Sequence, residues 1–481
     1  MPHPFQCIAT VATEGGSYLL AACGPKLLSL AAKDGSIVSQ WTSDAAGTVP
    51  VTTADEAASE GDERPAKKQK TTAKAAPALT NIIKLTVSND QQHAVAVTED
   101  KCVRVYSIQT DGGIVELSQR TMPKRPCALE VLPDNDTIIC GDKFGDVYSL
   151  PLLPSDESEK EAADLKAAQA AQDAKNAELR AQGNFQPAAT NLTVHTKRNL
   201  RSLEAQQKQK LFTPRKEVLA FEHKLLLGHV SMLTDATFAV REIEGKSRGY
   251  IITADRDEHI RISRAAPQSH IVEGFCLGHT EFVSKVRLVP STDLLISGGG
   301  DEWIGVWDWV NSKLKASINI KQHLSKFLTP TPEDKDPQVA ISSIWVVPVQ
   351  NQPGNHAVVI ASEKVPALLV ISTSTIGDSQ TQVTIVDEQL QGSNPLDLTV
   401  IDQRVLVSVD ARGDDQKRVV ALQFAANDNG SIEVVRDEAS ENTLKQLNDL
   451  TGIEEDPKSL ETLLYGIKNL KKRTGWEERE E

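Results

Sequence analysis

The chain has 481 residues, 40% of them hydrophobic, a formal charge of −14 and a pI near 5.3. That supplies apolar material for a large core, while the acidic balance excludes coating of nucleic acid by bulk charge and leaves RNA contact to local basic patches. No run of about eighteen apolar residues occurs, and the opening MPHPFQCIATVATEGG has no basic start before an apolar stretch, so neither a membrane span nor a secretion leader is expected.

Along the chain, a turn followed by a short alternating strand recurs seven times. The copies are CGPKLLSL (23–30), EDKCVRVYSI (99–108), GDKFGDVYSL (141–150), DRDEHIRIS (255–263), GDEWIGVWDW (300–309), SEKVPALLVI (362–371) and DDQKRVVALQF (414–424). Asp100 and Asp142 are 42 positions apart, and Asp257 and Asp301 are 44 apart. A period of about 40 to 45 residues made of short strands is the mark of a propeller. Two longer steps become regular once polar inserts are removed: 43–77 between the first and second copies, and 154–222 between the third and fourth. A third insert, 321–338, lengthens the step into the sixth copy. Segments such as HAVAV (93–97), YIITA (250–254) and HAVVIA (356–361) are strand-like apolar runs.

The expected fold is therefore all-β: a seven-bladed WD-repeat β-propeller over residues 1–437, with long inserted loops and a C-terminal helical extension over 438–481. Ring closure is expected to pair an N-terminal strand with the last blade. Residues 158–182 have helix propensity without an apolar stripe and predict a solvated helix within an insert. In the extension, Asp456 can cap, Pro457 suits a first turn, and Leu460, Leu463, Leu464 and Ile467 fall at helical spacing.

Two Gly-His pairs precede strands, at 228–229 and 278–279. In a WD-type repeat the His bridges an Asp, a Ser or Thr, and an indole N–H inside the blade. Gly278, His279, Ser297, Asp301, Trp307 and Asp308 supply that set in order. One repeat earlier stand His229, Thr253 and Asp257, but Ser263 and Arg264 replace the Trp-Asp pair. Both histidines are thus expected to be internal struts, because buried polar groups must find partners. The string SGGGDEW (297–303) is followed by a strand where a phosphate loop needs a helix, and no nucleophile elbow, zinc spacing or dinucleotide fingerprint occurs. Six cysteines without Cys-x-x-Cys spacing point to reduced structural thiols. No catalytic, cofactor or metal residues are expected in this chain.

Function must then be sought on surfaces. The turn at 255–259 gathers Asp255, Arg256, Asp257, Glu258 and His259, with Arg261 following on the strand. These are either solvated turn charges or an anchor for an acidic partner, for which the planar Arg261 guanidinium is the best candidate. Thr280, Glu281 and Phe282 in the neighbouring Gly-His loop are expected on the same face. A basic segment, 195–216, offers Lys197, Arg198, Arg201, Lys208, Lys210, Arg215 and Lys216 for phosphate contact, as do Lys471, Lys472 and Arg473 near the C-terminus. A solvated loop is the alternative. RPAKKQKTTAK (64–74) resembles a nuclear import signal.

The strings LLLGHVSMLTDATF, IITADRDEHIRIS, FCLGHTEFVSKVRL and LISGGGDEWIGVWDW, within residues 223–310, resemble the non-catalytic WD-repeat subunit of the eukaryotic tRNA (guanine-N7)-methyltransferase. The resemblance implies a heterodimer with a separate catalytic subunit that holds S-adenosylmethionine. It implies support for N7-methylguanosine formation in the tRNA variable loop, and tRNA met through the complex, with no DNA or membrane partner. It puts Arg261 at the subunit contact, followed by Arg256 and Glu258, while the nuclear location is expected from the 64–74 string. The alternative is a substrate receptor of a ubiquitin ligase. That reading lacks the Trp-Asp-x-Arg motif, since Trp309 and Val310 follow Trp307 and Asp308.

Overall fold

The computed structural model describes residues 3–43, 79–155, 196–208, 221–328, 337–350, 354–377, 381–411, 417–427, 430–444 and 456–472, with a few single positions between them. Seven antiparallel four-stranded sheets span residues 7–42, 82–121, 126–228, 233–276, 283–319, 341–386 and 394–436, numbered here as blades 1 to 7. Each repeat string found in the sequence lies at the turn between the second and third strands of its blade. The 154–222 insert falls between the third and fourth strands of blade 3, Asp146–Pro151 and Lys224–Gly228.

Burial explains why the strands read as they do. Middle strands such as His356–Ser362 and Leu368–Ser372 are buried along almost their whole length, because neighbouring blades cover both faces. An outer strand such as Ile114–Thr121 alternates between buried and exposed, since one face meets water. Seven apolar clusters fill the seven gaps between adjacent blades. Val347, Val359 and Phe424, for example, join blades 6 and 7, and Leu19, Leu30 and Leu406 join blades 7 and 1.

The ring does not close by a swapped strand, contrary to the sequence expectation. Blades 1 and 7 are each built from four consecutive strands. Their inner strands, Cys7–Thr13 and Asn394–Ile401, meet through side chains instead. The Ile8 amide donates to Asp397 Oδ2 at 2.8 Å, and Thr10 Oγ1 donates to the Val400 carbonyl at 2.8 Å. Asp397 also accepts the Trp345 indole N–H of blade 6 at 3.2 Å, so one carboxylate links three blades. Burial pushes this carboxyl above its ordinary range, against the hydrogen bonds it accepts.

The C-terminal helix is shorter than its apolar spacing predicts. It spans Pro457–Leu464 with Leu460 buried, and Asp456 takes the cap position without a side-chain hydrogen bond. Tyr465 turns extended and donates its hydroxyl to Asp410 Oδ2 at 2.6 Å. Ile467 therefore falls outside the helix. Leu463 and Leu464 help line a central channel of about 440 Å³ together with Lys84, Glu130, Asp235, Lys285, Arg287 and Asp397. Within it Arg287 pairs with Asp235 at 2.6 Å, burial pushes Glu130 up to about 7, and burial with Lys84 nearby pushes Lys285 down to about 8.

Candidate interaction surface on blades 4 and 5

In blade 5, the His279 ring is buried between two strands and stacked on Trp303, with centroids 4.5 Å apart. Its Nδ1 meets Asp301 Oδ2 at 2.7 Å and its Nε2 meets Ser297 Oγ at 2.7 Å, while Trp307 Nε1 donates to the same hydroxyl at 2.7 Å. One proton order satisfies all four groups: indole to hydroxyl, hydroxyl to Nε2, and Nδ1–H to carboxylate. Burial opposes ionisation of Asp301, but hydrogen bonds from His279 and Thr280 outweigh it and hold the carboxyl below its ordinary range. Gly305 makes this possible, because a Cβ there would lie 2.4 Å from the indole nitrogen.

Blade 4 repeats the arrangement with two changes. His229 Nε2 meets Thr253 Oγ1 at 2.8 Å, but its acid is Asp255, at 3.5 Å from Nδ1, and not Asp257 as the repeat spacing predicts. Asp255 also accepts the amides of Asp257 at 2.9 Å and His259 at 3.0 Å, so one carboxylate shapes the turn and braces the histidine. Burial opposes its charge, and the hydrogen bonds from His229 and the His259 amide win, holding it below the usual range. Blade 5 cannot use the matching position. Gly299 stands there, and a Cβ would lie 1.8 Å from the Phe282 carbonyl oxygen, so the acid comes from two residues later.

The second change concerns Arg261. Strand register pairs Thr253 with Arg261 and Ile251 with Ser263, as it pairs Ser297 with Gly305 and Leu295 with Trp307. Arg261 thus occupies the glycine position and Ser263 the tryptophan position. The guanidinium takes over the missing bonds: Nε donates to Ser263 Oγ at 3.0 Å and Nη1 to the Gly228 carbonyl at 3.1 Å. It is partly buried, and that burial lowers its pKa without threatening its charge.

The remaining residues singled out in the sequence divide. Arg256, Asp257, Glu258, His259, Arg261 and Glu281 reach the surface of this face. Asp255 and Phe282 are buried and support the turns from inside, whereas Thr280 is exposed while its hydroxyl donates to Asp301 at 2.6 Å. Lys197, Arg198 and Arg201 are exposed on a helix spanning Lys197–Lys208, anchored by the buried Leu203. Lys208 ends that helix, whereas Lys210, Arg215, Lys216, Arg473 and the 64–74 string lie outside the described residues.

Three apolar side chains escaped the sequence reading. Phe275 pairs across the ladder with Arg261 and is 43% exposed, Leu277 just before the Gly-His pair is 62% exposed, and Val230 just after His229 is fully exposed. Phe275 lies opposite Arg261, Leu277 follows Phe275 two residues later, and Val230 stands two residues after Gly228, whose carbonyl Arg261 holds. His259 is edge-on to Phe275 at 6.3 Å. The available signal was an apolar residue flanking each Gly-His pair in loops that need no core side chain. Exposed apolar side chains rimmed by charge mark interaction surfaces. Among the described residues no group of His, Cys, Asp and Glu is placed to hold a metal ion, and all six cysteines are buried and form no disulfide.

Residues 19–430 match the family described as tRNA methyltransferase TRM82 WD40 domain. The chain belongs to this family. Its members include the tRNA (guanine-N(7)-)-methyltransferase non-catalytic subunit TRM82 of Coccidioides immitis, 40% identical over 82% of this chain and 80% of that protein. The same-named subunit of Phaeosphaeria nodorum is 36% identical over 99% of this chain and all of that protein. The family is one of non-catalytic subunits, in keeping with a propeller whose histidines are structural.

Proposed function

We propose that this propeller binds and stabilises the catalytic subunit of a tRNA (guanine-N7)-methyltransferase in a heterodimer and so supports N7-methylguanosine formation in the tRNA variable loop. S-adenosylmethionine belongs to the catalytic partner. The observation that carries the reading is the exposure of Val230, Phe275 and Leu277 in the strand and Gly-His loops next to Arg261, on a chain whose relatives are named as non-catalytic subunits of that enzyme. The trio supplies apolar area to bury, and Arg261 supplies direction. Its guanidinium is already oriented by Ser263 and Gly228, so docking costs it little rotamer entropy, and its remaining N–H donors suit a partner carboxylate.

The exposed cations of the Lys197–Lys208 helix are candidates for tRNA phosphate within the complex. A nuclear location is supported by the basic string at 64–74 alone.

The test is reconstitution of this chain with its catalytic subunit and assay of N7-methylguanosine in tRNA. Leu277→Asp, which removes an exposed apolar anchor without touching the blade interior, is expected to weaken copurification and methylation at least tenfold, about 1.4 kcal/mol. Full methylation by the catalytic subunit without this chain, or unchanged binding of the variant, contradicts the reading.

A further inference from the structure

The segment after the C-terminal helix runs over the same face and is fastened there by backbone groups. The Glu363 carboxylate of blade 6 accepts the amides of Gly466, Ile467 at 3.0 Å and Lys468 at 2.8 Å, capping the short 3₁₀ turn Lys468–Leu470. At the far end, Arg256 of blade 4 donates from Nε to the Leu470 carbonyl at 2.6 Å and from Nη2 to the Lys471 carbonyl at 3.4 Å. These bonds fix the course of the chain and bring two lysines down on the turns of blades 4 and 5. Lys471 lies 3.4 Å from Glu281, and Lys472 lies 3.1 Å from Asp257 and 3.0 Å from Glu258.

The charge count of the patch depends on this strap. Without it, Arg256 and Arg261 face three carboxylates, those of Asp257, Glu258 and Glu281, and the patch is net acidic. Lys471 and Lys472 add two positive charges directly over these carboxylates and offset the acidic excess of turns that also hold the ionised Asp255 and Asp301. All three lysine pairs are substantially exposed, and such pairs contribute little to stability. The strap is held by Glu363 and Arg256 without them. Their effect is on the field the face presents to an approaching molecule.

We propose that residues 465–472 form part of the docking surface, a strap that sets two lysines on the blade 4 and 5 face and matches them to acidic side chains of the catalytic subunit. This rests on the docking role proposed above. It also gives Lys471 and Lys472 a different task from the tRNA contact expected of them in the sequence.

The experiment measures association of the full chain with the catalytic subunit at low and high salt for the wild type, Lys471→Glu/Lys472→Glu and Glu363→Ala. The lysine variant keeps the strap and reverses its charge. Glu363→Ala loosens the strap and keeps the lysines. Both are expected to associate at least tenfold more slowly at low salt, and the difference for the lysine variant should shrink in high salt as screening grows. Wild-type binding at either variant's rate would overturn the strap's role, as would faster binding by a variant, which would mark the strap as a block. No binding by the wild type would instead overturn the docking role itself.

Discussion

Ser297→Ala isolates the energetics of the polar strut in blade 5. Its hydroxyl is the only link between His279 Nε2 and Trp307 Nε1, both 2.7 Å away, in a blade interior where His279, Ser297 and Trp307 are all buried. Alanine leaves one acceptor and one donor without partners, each costing about 1–3 kcal/mol, so the variant should lose about 2–6 kcal/mol. With an unfolding entropy of about 2 cal/mol/K per residue over a ring of roughly 400 residues, that corresponds to a melting point about 3–8 °C lower. Scanning calorimetry at a fixed scan rate reads it. Thr253→Ala in blade 4 is the internal standard, because no indole bonds to that hydroxyl, whose partners are His229 Nε2 at 2.8 Å and, at the longer 3.4 Å, the Arg261 carbonyl. It should cost about half as much. A Ser297→Ala protein melting within about 1 °C of the wild type, or a Thr253→Ala protein equally destabilised, would refute the strut argument.

Arg261→Gly should lower the melting temperature by removing the bonds to Ser263 and Gly228, about 1–2 kcal/mol at this partly exposed site. Adding Ser263→Trp should restore it, since the indole can then lie over the glycine and reach Thr253 as in blade 5, while binding of the catalytic subunit stays impaired. A double variant less stable than the single one would contradict the register argument. The folded-state carboxyls of Asp301 and Asp255 lie below their unfolded value of about 3.9, so their contribution is present above that pH and lost as pH falls through the folded values. Wild-type melting temperature should therefore drop more steeply below about pH 4 than that of Asp301→Asn, which lacks one contribution throughout, and parallel curves would refute the assignment.

The propeller was legible because its signals are local and repeated. Each blade writes a tight turn between two apolar runs, and the runs are apolar because both faces are covered. Ring closure was not legible, since it depends on Asp397 meeting Ile8 across 389 positions, a pairing that leaves no pattern in either strand. The acid of blade 4 was misplaced for a related reason. Spacing aligns Asp257 with Asp301, but Gly299 excludes a side chain where blade 4 carries Asp255, and that exclusion comes from the Phe282 backbone one strand away. The strap's course over the turns of blades 4 and 5 was equally hidden, because its capping acid, Glu363, belongs to another blade.

Blade 4 keeps the histidine strut of blade 5 but lacks its glycine and tryptophan, and it is also where the proposed interaction surface lies. The two facts have one cause. A tryptophan at position 263 would fill the space above position 261 and require a glycine there, as Trp307 requires Gly305. Replacing that pair by Ser263 and Arg261 keeps hydrogen bonds to the strand and the Gly-His loop while setting a cation at the surface. The same side chain braces the blade and is the proposed anchor for the partner, so charge reversal at Arg261 confounds folding with docking. Leu277, exposed and outside the strut, separates them.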